Sequence, residues 1–144
     1  MRQKQKGFTL LEVLVAMVVL SVGLLGLAGL MGASMRNNQS SSQRTQAAWL
    51  AYDVIDRMRG NRTAAIAAAN NYNTTIGGTA CAFIGLACID LTDWKATLAY
   101  ALPAGDGAVA VIPATGAVKV TIQWNDSRGT GGNSAQNITV DTQL

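Results

Sequence analysis

Twenty-three consecutive residues, Val13 to Met35, carry no charged side chain, and a run of that length leaves few architectures open. As a helix rising about 1.5 Å per residue it is roughly 34 Å long, slightly more than the hydrocarbon thickness of a bilayer. A helix buried in a soluble core would show a polar stripe, which this segment lacks. The preceding Met1–Lys6 carries Arg2, Lys4 and Lys6, so the N-terminus is expected to stay cytoplasmic while the rest is exported. A cleaved secretory signal would need small residues after the apolar run; Gly32-Ala33-Ser34 is only a faint site, and the run is long for such a signal.

An ordinary anchor does not account for Glu12. A carboxylate near the cytoplasmic end of a spanning helix costs on the order of 1–3 kcal/mol depending on depth, and such an acid usually has a partner. Lys6-Gly7-Phe8-Thr9-Leu10-Leu11-Glu12 resembles the class III signal of type IV prepilins. That resemblance implies cleavage after Gly7 by prepilin peptidase, N-methylation of the new terminus at Phe8, and Glu12 as the fifth mature residue. The chemistry is coherent. Cleavage creates an amine in apolar surroundings, a carboxylate from a neighbouring helix compensates it, and a buried charge pair of this kind fixes register.

Gly23, Gly26, Gly29 and Gly32 recur every third residue. They suit close approach of another helix, or they reflect the general frequency of glycine in membrane helices; the pattern does not choose. Major pilins of the family usually carry a proline in this helix, whereas the prolines here are Pro103 and Pro113.

Composition removes other functions. No histidine is present, which takes away the usual general base, the usual zinc ligand and every Ser-His or Cys-His arrangement. No enzyme, metal or cofactor is expected, and Asp90 and Asp93 read as helix-start residues rather than paired acids. The net charge of +3 comes from Arg2, Lys4 and Lys6, since eight Lys and Arg face eight Asp and Glu in the remainder. Nucleic acid is therefore not expected as a partner. Arg57, Arg59 and Arg62 are read as complementing a helix end, with Asp53 and Asp56 neutralising part of the cluster. Cys81 and Cys88 suit one disulfide in an oxidising compartment, the alternative being two buried free thiols.

After Arg36 nothing stops the helix before Gly60. Ala47, Leu50, Ala51, Val54, Ile55 and Met58 form one apolar face, and a helix from Thr9 to Arg59 would be roughly 75 Å long. A loop with a short helix at 63–69 is expected next, then a helix capped by Thr92 that presents Trp94, Leu98 and Leu102. Strands are expected at Ala108–Ile112, at Val118–Trp124 and around Ile138 and Val140, with Asp126–Ser134 as a hairpin loop. Three antiparallel strands against Leu50, Val54, Ile55 and Met58 would close a core.

The expected fold is therefore α+β and type IV pilin-like. Its parts are a leader at 1–7, a transmembrane or filament-core helix at 8–35, an amphipathic helical half at 36–60 and a head at 61–144. The head resembles the PilV-type minor pilins through AYDVIDRMRGNR at 51–62, Asp93-Trp94, Leu102-Pro103-Ala104-Gly105 and Trp124-Asn125-Asp126-Ser127-Arg128. This implies a structural subunit of a priming or tip complex. Its implied partners are prepilin peptidase, other minor pilins, the major pilin, a tip adhesin and the inner-membrane assembly platform. Its place would be the inner membrane first and the extracellular filament afterwards. A minor pseudopilin of type II secretion shares the same signal and is the alternative.

Overall fold

The structure, a computed structural model, describes residues 7–69, 71–81 and 84–144, so of the expected leader only Gly7 is among the described residues. The chain divides into two compact units that meet between Arg36 and Asn37. In the first, helix α1 (Leu10–Gly60) begins, and its side chains from Phe8 to Arg36 are all exposed. By length and composition α1 is apolar enough to cross a membrane.

In the second unit α1 acquires a buried stripe. Ala47, Ala51, the adjacent Val54 and Ile55, and Met58 are fully buried at successive helical turns, and Leu50 packs beside them half-buried. Helix α2 (Arg62–Ala65) is shorter than the expected 63–69, because turns take over from Ile66. Helix α3 (Leu86–Ala101) starts earlier than the Thr92 cap suggests. Ala87, Leu91, Trp94 and Leu98 lie on one buried stripe, and burying the first two extends the helix upstream of the threonine. Asp90 and Asp93 are therefore interior to α3, not at its start.

Strands β1 (Asp106–Ile112), β2 (Ala117–Trp124) and β3 (Gln136–Gln143) form an antiparallel sheet in the order β1-β2-β3. The register pairs Val109 with Val120 and Val120 with Val140, and the alternation of β2 buries Val118, Val120, Ile122 and Trp124. Two contacts fix the direction of α1 over this sheet. Ser40, near the start of its packed half, donates to Asp126 just beyond β2, while Arg62, just past its end, donates to the Leu144 carbonyl just beyond β3. Helix α1 in this unit thus runs antiparallel to β2 and parallel to β3.

Trp94 joins the layers. Its indole N–H donates to the Leu50 carbonyl of α1 at 2.8 Å, and its ring lies against Gly107 at the start of β1. A Cβ at Gly107 would collide with the Trp94 ring and with Leu98, so the glycine is needed for close approach of helix and sheet. Gly107→Ala is expected to lower stability by about 1–3 kcal/mol in denaturant unfolding. The control Gly60→Ala, whose Cβ would meet nothing within 4 Å, is expected to change it by no more than about 0.5 kcal/mol.

Candidate functional site

The N-terminal residues singled out by the sequence are contiguous and open. Gly7 is exposed with nothing within 4 Å of a Cβ added to it, and Phe8 is 83 % exposed. Thr9 immediately precedes α1, and its hydroxyl accepts from the Glu12 N–H at 3.3 Å while its carbonyl accepts from the N–H groups of Glu12 and Val13. Thr9 is thus the helix cap, and Glu12 holds the third helical position. The pattern Thr-x-x-Glu is the capping-box spacing, a signal present in the sequence that the reading of Glu12 as an assembly residue passed over. Glu12 also places negative charge in the first turn, where the helix dipole favours it. The arrangement leaves the peptide bond between Gly7 and Phe8 ahead of the helix and accessible.

Nothing in the first unit covers the side chains that follow. Leu10, Leu11, Leu25 and Leu30 are each at least 70 % exposed, and an added Cβ at Gly23, Gly26, Gly29 or Gly32 meets nothing within 4 Å. Apolar surface on this scale needs lipid or other helices around it.

The second unit holds the polar groups together as structural clamps. Cys81 and Cys88 form a disulfide with Cα atoms 5.3 Å apart, joining the loop to the first turn of α3. Arg57 bonds Asp53 at 3.0 Å and lies 3.8 Å from Asp90, and Arg59 bonds Asp56 at 2.9 Å. The buried Tyr72 hydroxyl donates to Asp90 and accepts from Asn61 at 3.2 Å, so α1, the loop and α3 share one network. Burial, reinforced by the bond to Asp90, pushes the Tyr72 phenol up to about 12. A second clamp centres on Asp106, which accepts from the N–H groups of Gly77 and Gly107 and pairs with Lys95 at 3.0 Å. Burial alone would raise its pKa, but these donors outweigh burial and hold the carboxyl below its ordinary value.

Two of the head motifs meet. The Asn125 N–H donates to the Pro103 carbonyl at 2.7 Å, which ties Leu102-Pro103-Ala104-Gly105 to Trp124-Asn125-Asp126. Among the described residues no group of His, Cys, Asp or Glu is arranged to hold a metal.

Residues 2–28 match the family described as the prokaryotic N-terminal methylation motif. No curated protein and no solved structure matches the chain. The motif supports a type IV pilin-like or pseudopilin-like prepilin, and the long N-terminal helix with a small antiparallel sheet is consistent with that fold. The motif implies processing by prepilin peptidase and assembly in the context of a membrane.

The Tyr72 network predicts a pH dependence. Folding raises this phenol from 10.0 to about 12, so its contribution to stability is complete below pH 10.0 and is lost as pH rises toward about 12. Tyr72→Phe is expected to remove that alkaline dependence, and to lower stability at neutral pH by about 1–3 kcal/mol because Asp90 loses a donor. Asp106 acts in the opposite sense: its contribution is complete above 3.8 and is lost as pH falls through its lower folded value. Denaturant unfolding across the pH range measures both.

Proposed function

We propose that this chain is a minor type IV pilin of the PilV type, a structural subunit that helps start pilus assembly within a priming or tip complex. The observation that carries the reading is the methylation motif over residues 2–28, with Gly7, Phe8 and Glu12 in its cleavage and fifth-residue positions. Exposure of every apolar side chain from Phe8 to Met35 supports it, since that surface suits lipid before assembly and neighbouring helices afterwards. The resemblance of the head motifs to PilV-type minor pilins is what favours the pilus over type II secretion in this reading.

In this reading prepilin peptidase cleaves after Gly7, whose bare backbone gives access to the scissile bond. Residues 1–7 are the leader, 8–35 the anchor and then the filament core, 36–60 the amphipathic half of α1, and 61–144 the head. The methylated amine of Phe8 on one subunit and the Glu12 carboxylate of a neighbour compensate each other where neither is solvated. Among the described residues no hydrogen bond or ion pair engages the Glu12 carboxylate, which leaves it for the neighbour. The head faces the periplasm before assembly. Other minor pilins, the major pilin, the tip adhesin and the inner-membrane platform are its partners.

Intact-mass and N-terminal analysis of protein from cells with and without prepilin peptidase is expected to show N-methylated Phe8 only when the peptidase is present. Retention of Met1, or cleavage near Ser34, would return the chain to an ordinary anchor or secreted protein. Glu12→Ala is expected to leave that processing intact and to lower recovery in surface filaments at least about tenfold, the scale of a lost buried charge partner. Undiminished recovery would rule out the charge pairing. Wild-type protein absent from filaments but required for protein secretion would identify the pseudopilin instead.

A further inference from the structure

Helix α3 gives one stripe to the core and leaves another uncovered. Ala87, Leu91, Trp94 and Leu98 face inward, while Leu86, Ile89, Asp93, Ala96 and Tyr100 follow at three- and four-residue steps on the outer side. Leu86 and Ile89 are each more than half exposed, and Tyr100 is 94 % exposed. From Leu86 to Tyr100 the stripe is about 21 Å long at the rise of an α-helix. Ile84, fully exposed ahead of the helix, lines one groove with Leu86. Exposed apolar surface concentrated on one helix face marks an interaction site.

The stripe is held firmly from behind. The Cys81–Cys88 bridge ties the preceding loop to the first turn, Trp94 donates to Leu50, and Lys95 reaches Asp106 at 3.0 Å and the Thr75 carbonyl at 2.7 Å. A surface fixed in this way loses little freedom on binding.

Asp93 is the one charged side chain on the outer side of α3, because Asp90 is turned to Tyr72 and Arg57 and Lys95 to Asp106. It lies seven residues from Leu86 and seven from Tyr100, at the middle of the stripe. Among the described residues no cation lies within ion-pair distance of it. Water solvates this carboxylate in the free chain, so whatever covers the stripe has to supply a partner.

We propose that the outer face of α3 binds an amphipathic helix of a different protein, one that carries a lysine or arginine midway along its apolar side. Leu86, Ile89 and Tyr100 form the ridges, Ala96 leaves room for a larger side chain, and Asp93 pairs with the cation. A second copy does not fit this face. Two α3 helices paired along the full stripe, in either direction, bring Asp93 against Asp93, since the acid sits at the midpoint. The interior of a bilayer offers the carboxylate no partner either.

The test uses the full chain in lipid nanodiscs and two fluorophore-labelled synthetic helical peptides with leucine at three- and four-residue steps, one with lysine at its midpoint and one with glutamate. Anisotropy corrected for empty discs is expected to show the lysine peptide bound at least about tenfold more tightly. Asp93→Lys is expected to reverse that order, and Ile89→Ser to weaken both peptides at least about fivefold. Should Asp93→Lys shift the denaturant midpoint, Asp93→Asn replaces it and is expected to abolish the preference for lysine. In cell envelopes, where the natural partner is present, maleimide labelling of Ala96→Cys is expected to be at least about tenfold slower than in nanodiscs. Adding Asp93→Lys to that chain is expected to restore it.

Equal affinity for the two peptides, binding of neither, or an order that Asp93→Lys leaves unchanged overturns the docking. Equal labelling of Ala96→Cys in discs and envelopes does the same. A wild-type chain that runs as a dimer and becomes a monomer on Ile89→Ser overturns it in favour of self-pairing. A spin label at Ala96→Cys reached by lipid-soluble oxygen, and not by a water-soluble quencher, overturns it in favour of the bilayer. Cleavage after Gly7 and methylation of Phe8 enter none of these outcomes, so the pilin reading stands or falls separately.

Discussion

Helix α1 satisfies its own backbone hydrogen bonds along its length, but no helix can cover its own side chains, and everything else in the chain follows from how the two stretches are covered. Over Ala47–Met58 the cover is internal. The stripe of Ala47, Ala51, Val54, Ile55 and Met58 meets a single cluster with α3 and the sheet, and Trp94 binds the layers by donating into α1. From Phe8 to Met35 no internal cover exists, so the surroundings must supply it. A unit as small as Asn37–Leu144 buries limited apolar area, and the polar clamps and the Cys81–Cys88 bridge add to that core. By loop-closure entropy such a short bridge contributes about 2–3 kcal/mol.

Much of this was legible because helices and strands write different periods. The apolar positions of α1 at three- and four-residue spacing, and the alternation of β2 from Val118 to Trp124, each name a face, and burial agrees with both. The start of α3 was misread for a local reason. Thr92 has the chemistry of a cap, yet it is an exposed residue in the middle of a helix whose buried stripe runs from Ala87 to Leu98, and burial of that stripe overrides the capping preference. The Tyr72–Asp90–Arg57 network was not legible, since its members come from three separate segments and no periodicity connects them. The same holds for the Asn73–Thr74 segment, which bonds to the outer edge of β1. Thr9 is different. Its Thr-x-x-Glu spacing is legible in the sequence as a helix start, and the Glu12 N–H bond to the Thr9 hydroxyl agrees with it.

Thr9 and Glu12 show how one short motif serves two physical demands. A helix that begins in apolar surroundings has orphan N–H groups at its start, and the Thr9 hydroxyl and carbonyl satisfy some of them locally. The helix start is then stable without recruiting the Glu12 side chain. Among the described residues the Glu12 carboxylate does not close the capping box on the Thr9 N–H, so it is available for an intermolecular contact.

A contact of that kind sets register without setting identity. Any chain with the methylation motif offers the same amine and carboxylate, so in the proposed reading the pair cannot distinguish one neighbour from another. Discrimination must come from surfaces that differ between chains, and it is a difference of affinities rather than a single strong bond.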